Sequence, residues 1–249
     1  MISEATQPQI DPGDIAVTPV IPNTTQTPKT PTFAMLRALG IISMVSGFLV
    51  AMAYELTAPI IAEGRHIATE KAVLEVIPGA VVKRDFILGP KGLVPKDQAE
   101  GQDTSTDGEI IYAAYDVQGQ LKGLAILGTG NGYAGPVEVM FAYDPDRQVI
   151  VGTKVQKSNE TPGFGDKLDK DPTFLKNFVA LDAKLNGEGT ALANPIVTVK
   201  HGAKAEPWQI DAISGATISS RAMGKAANQA AQRAVPAIQR DLAILSQLH

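Results

Sequence analysis

Cysteine is absent from the 249-residue chain. That absence excludes disulfides, thiolate-ligated iron–sulfur clusters, thioether-linked haem and a lipid anchor on a cysteine. Histidine is nearly absent as well. His66, His201 and His249 stand too far apart in sequence to form a metal-ligand spacing. Positive charge is not in excess, because 22 Lys and Arg face 26 Asp and Glu for a net charge of −4. The basic surface that general nucleic-acid binding requires is therefore missing. Together these absences direct any redox chemistry toward an organic cofactor.

What is present suits one or two domains with a real core: 44% of residues are hydrophobic and 19% charged. Residues 1–30 are rich in Thr and Pro with few large apolar side chains, which predicts a disordered tail. Residues 38–54 form an uncharged run. As a helix this run spans about 25 Å, slightly short of a hydrocarbon core of about 30 Å. Arg37 can snorkel and the apolar residues before it can extend the span, which predicts an anchor over 31–57. Lys29 and Arg37 precede the run, whereas Glu55, Glu63 and Glu70 outnumber Arg65 beyond it. That bias predicts a single-pass inner-membrane protein with a cytoplasmic N terminus and an extracytoplasmic (periplasmic) domain over 58–249. A cleaved signal peptide is the competing reading, because Ala51-Met52-Ala53 resembles a cleavage site.

Pro59 at a start and Pro78-Gly79 at an end predict a helix over 59–77, with Ile60, Ile67 and Leu74 on the face that packs on the domain. Residues 95–109 are polar and predict a surface loop. Residues 110–117 and 121–127 flank Gln118-Gly119-Gln120, and 137–143 and 149–155 flank Asp144-Pro145-Asp146-Arg147; each pair predicts a hairpin. Helices are expected over 173–181 and 220–248, and strands over 196–199 and 210–213. Hairpins mixed with helices define an α+β class, an antiparallel sheet with flanking helices.

Three segments carry chemistry. Gly130-Asn131-Gly132-Tyr133-Ala134-Gly135 fits G-x-G-x-x-G, but Pro136 and the β-branched run after it predict a strand where a dinucleotide site needs a helix. A plain loop, or a loop beside another ligand, is what remains. In Glu160-Thr161-Pro162-Gly163-Phe164-Gly165-Asp166, glycines flank an aromatic side chain and permit close backbone approach to a flat ligand. A simple Pro-Gly turn explains the same residues. In Asp211-Ala212-Ile213-Ser214-Gly215-Ala216-Thr217, small residues precede a long helix, so a phosphate on Thr217 would meet free helix N–H groups. Alternatively, Ser219 or Ser220 simply caps that helix. Local physics leaves both readings open.

Asp-x-x-Ser-Gly-Ala-Thr resembles the flavinylation motif of the FMN-binding domain family. Within that family the chain looks like the G subunits of Rnf-type ion-translocating ferredoxin:NAD oxidoreductases. It is less like the related C subunits of sodium-pumping NADH:quinone oxidoreductases. Val76-Ile77-Pro78-Gly79, Gly132-Tyr133-Ala134-Gly135, the Glu160–Lys167 stretch and Ile218-Ser219-Ser220-Arg221-Ala222 resemble family segments in the same order. Phe164 stands where the family pattern has Leu.

The resemblance implies an electron-transfer subunit of a translocase, embedded among other membrane subunits. It implies FMN esterified through its phosphate to Thr217 by a Mg-dependent flavin transferase that consumes FAD. Ser214, Gly215 and Ala216 would shape the approach, and Glu160, Thr161, Gly163 and Phe164 would line the ring. Asp211 would be a recognition residue for the transferase. Arg221 or Lys200 is placed to neutralise the phosphate, and each reads equally as a surface charge. A stand-alone flavinylated protein serving another reductase, and a structural subunit with a degenerate flavin site, are the alternatives.

Overall fold

A computed structural model describes residues 32–90, 92–98, 109–161 and 167–246. The chain divides into two compact units, residues 1–57 and 58–249. The first described element is α1 (Thr32–Val76), a 45-residue helix with no charge between Arg37 and Glu55. It contains a window of mean hydropathy 1.9 and is long and apolar enough to cross a membrane. The expected helix start at Pro59 is corrected: Pro59 lies inside α1, which passes through it one backbone hydrogen bond short because proline has no amide hydrogen. The expected packing face is corrected too. Ala72, Val73 and Val76 of the last turn are buried, whereas Ile60 and Ile67 are exposed.

Among the described residues of the second unit, seven strands form one antiparallel sheet. They are β1 (Val82–Gly89), β2 (Gly92–Pro95), β3 (Glu109–Tyr115), β4 (Leu121–Asn131), β5 (Pro136–Asp144), β6 (Val149–Ser158) and β7 (Leu181–Asp182), in the order β2-β1-β3-β4-β5-β6-β7. The two expected hairpins are β3–β4 and β5–β6. Their turns are closed by Asp116, which accepts from the Gln118 and Gln120 amides, and by Asp144, which accepts from those of Asp146 and Arg147. Short helices α2 (Lys167–Lys170) and α3 (Pro172–Leu175) follow β6. Two parallel strands, β8 (Val197–Val199) and β9 (Gln209–Asp211), precede α4 (Thr217–Arg240) and α5 (Leu242–Leu245). The α+β class is borne out.

Several expectations fail locally. The helix expected over 173–181 breaks into α3, a 3₁₀ turn (Lys176–Phe178) and β7. Strands β1 and β2 are not foreshadowed by the sequence pattern, because Lys83-Arg84-Asp85 interrupts the apolar alternation in β1 and the four residues of β2 are too few to show one. Of the loop expected over 95–109, the described ends are the last residue of β2, a 3₁₀ turn (Lys96–Gln98) and the first residue of β3.

Side chains alternate between two faces of the sheet. Ile111, Ala113, Tyr115, Leu124, Ile126 and Phe141 point into the larger core with α4. Tyr112, Ala114, Ala125, Met140 and Ala142 meet the last turn of α1. Ala222, Ala226, Ala227, Ala230, Ala231 and Ala234 of α4 are all buried. This stripe lets α4 sit so close to β4 that a Cβ on Gly128 or Gly130 would collide with the carbonyls of Ala226 and Ala222.

Candidate functional site

Three segments converge at the N-terminal end of α4. The β4–β5 turn is closed by the Gly132 amide donating to the Gly135 carbonyl at 2.8 Å, and β5 begins at once with Pro136. A strand therefore follows the glycine-rich segment directly, where the dinucleotide fingerprint requires a helix. The chain leaving β6 brings in Glu160 and Thr161. The turn after β9 brings in residues 213–217, with Gly215 at φ +84°, a left-handed conformation that favours glycine. Between them lies a cleft of 530 Å³ lined by Tyr133, Glu160, Thr161 and residues 215–219.

Glu160 holds the three segments together. Its Oε1 accepts the Ala134 amide at 3.0 Å, and its Oε2 accepts the Ser219 hydroxyl at 2.5 Å. Its own amide donates to Ser158 Oγ. Gly132 makes room for this carboxylate, since a Cβ there would collide with Glu160 Oε1.

Neither serine is the helix cap that the sequence allowed. Ala216 occupies the N-cap without any side-chain hydrogen bond, so α4 starts at Thr217, three residues earlier than expected. Ser220 is fully buried; its Oγ accepts the Ile213 amide at 3.0 Å and donates to the Ala216 carbonyl at 2.9 Å. Ser219, 4% exposed, is committed to Glu160. Only one hydroxyl in the first turn of α4 has no hydrogen-bond partner among the described residues, and it belongs to half-exposed Thr217. The amides of Thr217, Ile218 and Ser219 likewise meet no acceptor among the described residues.

The remaining candidates divide. Gly215, Ala216, Thr161 and Glu160 share the cleft with Thr217, whereas Asp211 and Ser214 line a separate cleft of 380 Å³ with Asn177 and His201. There the Asp211 carboxylate accepts the Gly202 amide at 2.7 Å and lies 3.6 Å from His201 Nδ1. Buried Asn177 mimics a neighbouring strand, accepting the Asp211 amide and donating to its carbonyl. Lys204 donates to the same Asn177, and burial lowers its pKa against the opposing pull of Asp211. Gly163 and Phe164 lie outside the described residues. Lys200 and Arg221 are exposed and line neither cleft.

Sequence reasoning missed the roles of Tyr133, Ser219 and Asn177. Tyr133, 75% exposed, and Ile218, 52% exposed, both line the cleft. The only sequence signal for Tyr133 is its place in the glycine-rich loop, and Ser219 reads from its neighbours as a possible cap.

Residues 132–232 match the family described as the FMN-binding domain, a span that contains the whole cleft. The chain is 31% identical over 196 residues to the G subunit of the Na(+)-translocating ferredoxin:NAD(+) oxidoreductase complex of Acetobacterium woodii, covering 78% of this chain and 87% of the relative. It is 28% identical over 201 residues to the G subunit of the proton-translocating ferredoxin:NAD(+) oxidoreductase complex of Clostridium ljungdahlii, covering 81% and 90%. Among solved structures, NqrC of Shewanella oneidensis superposes with a TM-score of 0.53 at 22% identity, covering 74% of this chain and 98% of that one; it shares the fold. Fold and cleft thus define a domain of the FMN-binding class. The chain belongs to the family of G subunits of ion-translocating ferredoxin:NAD(+) oxidoreductase complexes, in line with its motifs.

Proposed function

We propose that this chain is a membrane-anchored electron carrier of a Rnf-type ion-translocating complex, with FMN esterified through its phosphate to Thr217. The observation that carries the attachment site is the hydroxyl inventory of the turn before α4 and of its first turn. Ser219 and Ser220 are engaged, Ser214 opens on a different cleft, and Thr217 Oγ1 is left free beside unpartnered helix amides. Those amides suit a phosphate, whose negative charge the helix dipole also favours. The cleft volume falls within the roughly 300–1,000 Å³ of small-molecule sites.

FMN supplies the electron-accepting chemistry, while the protein supplies position and electrostatics. Tyr133 and Ile218 offer apolar walls, and Glu160 fixes their spacing by tying the β4–β5 turn to α4. Helix α1 anchors the domain, with the N terminus cytoplasmic and the domain outside. Outside the cytoplasm a covalent bond prevents loss of the cofactor by dilution. The modification requires a flavin transferase, and the other membrane subunits of the complex are the partners.

Coexpression with a flavin transferase should add one FMN less one water to the mass, and flavin fluorescence should survive a denaturing gel. Thr217→Val removes the oxygen while nearly keeping the shape, and should abolish that band with the fold retained. Ser219→Ala should keep it. Flavin on Ser214 or Ser219, or only dissociable flavin in the matured wild type, overturns the assignment.

A further inference from the structure

We infer that Glu160 is the residue that sets the reduction potential of the bound flavin, through a fixed and uncompensated negative charge on the cleft wall. This rests on the reading of the cleft as the flavin site. Both groups that meet the Glu160 side chain are donors, the Ala134 amide and the Ser219 hydroxyl, and each takes a different oxygen. That is the pattern of an ionised carboxylate, which only accepts. Among the described residues no Lys, Arg or His forms an ion pair with it.

Most other half-buried acids of the domain do have cationic partners. Asp85 has Lys83 and Lys96, Glu109 has Arg233, and Asp169 has Lys154. Glu160 instead keeps its charge for the cleft, and its two hydrogen bonds from separate elements prevent it from swinging away. Hydrogen bonding of this kind holds a carboxylate in place.

The consequence is electrostatic. An electron taken up without a proton adds one negative charge to the flavin, and a fixed carboxylate on the wall would disfavour that charge. At an effective dielectric of about 20, unit charges about 12 Å apart already shift an equilibrium about tenfold. Glu160 lines the 530 Å³ cleft itself. A tenfold change in a one-electron equilibrium is about 59 mV. Glu160 therefore holds the flavin at a lower potential, making it a stronger donor to the next carrier. Neighbouring Ser219 acts as a positioning residue, because it orients the carboxylate without bringing charge of its own.

The test is a potentiometric titration of the full-length, transferase-matured protein as wild type, Glu160→Gln, Glu160→Asp and Ser219→Ala. Glu160→Gln removes the charge and keeps an oxygen for the Ala134 amide. Its midpoint should rise by at least about 59 mV for one electron, a tenfold change, and the rise should shrink as salt is added. Glu160→Asp keeps the charge and should stay near the wild type. In the flavin-free proteins, hydrogen exchange at Ala134 should be alike in wild type and Glu160→Gln, separating charge from loss of structure. An unshifted midpoint in loaded Glu160→Gln overturns the inference, as does a Glu160→Asp midpoint that rises equally. Loading is scored separately by fluorescence on a denaturing gel. Its absence in the wild type overturns the attachment reading and this inference with it.

Discussion

The Ser219 hydroxyl donates to Glu160 Oε2 across 59 residues of chain. Because Glu160 also takes the Ala134 amide, one side chain fastens the β4–β5 turn, the segment leaving β6 and the first turn of α4. The bond also removes Ser219 from competition with Thr217, so a single contact both shapes the cleft and narrows the choice of hydroxyl in the first turn of α4.

Ser220→Ala should destabilise the domain by about 1–3 kcal/mol, since it leaves the buried Ile213 amide without an acceptor. Urea unfolding of the detergent-solubilised protein measures this. The same change frees the turn that presents Thr217, so transferase loading should slow at matched protein concentration. Loading at the wild-type rate would mean that the turn is held elsewhere.

Gly130→Ala should cost about 1–3 kcal/mol by overpacking, because its Cβ would meet the Ala222 backbone, which cannot swing aside as a flexible side chain could. Gly187→Ala, where no atom lies within 4 Å, is the control and should stay within about 0.5 kcal/mol of the wild type. Equal denaturation midpoints for the two variants would contradict the close approach of α4 to β4.

Alkaline pH should destabilise the fold through two buried tyrosines. Burial pushes the hydroxyls of Tyr115 and Tyr143 up to about 12 from an ordinary value of 10.0. Between those values the unfolded chain releases protons that the folded chain retains. Stability is therefore full below pH 10 and lost as pH rises toward about 12. Tyr143→Phe should flatten that part of the Tm–pH curve, and Gln239 would keep its bond to the Pro145 carbonyl. An unchanged slope would remove Tyr143 from the account.

Topology follows from the charges flanking the apolar run. Alkaline phosphatase fused to the C terminus should be active, since that enzyme requires export. A silent phosphatase paired with an active cytoplasmic reporter at the same position would reverse the orientation. Finding residues 1–30 in the mature protein would separate an anchor from a cleaved signal.

The sequence by itself determined what depends on near neighbours. The uncharged run over 38–54, extended by the apolar residues before Arg37, pointed to a membrane anchor, and alternation around Gln118-Gly119-Gln120 and around Asp144-Pro145-Asp146-Arg147 specified two hairpins. The missing cysteines narrowed the chemistry to an organic cofactor, and the Asp211-to-Thr217 motif pointed to the family. Tertiary structure decided what depends on distant contacts. Local rules read Ser219 and Ser220 as caps, yet their hydroxyls are taken by Glu160 and by the turn at Ile213 and Ala216, so α4 starts at Thr217 instead. Asp211 lies only six residues from Thr217, but its carboxylate opens on another cleft because Asn177 and Gly202 hold β9 and its side chain from that side. Strand β1 was hidden by its charged residues and β2 by its shortness, and both were settled by pairing, β1 with β3 and with β2. Local propensity fixes which elements can form, but the engagement of Ser219 depends on a partner 59 residues away in the chain.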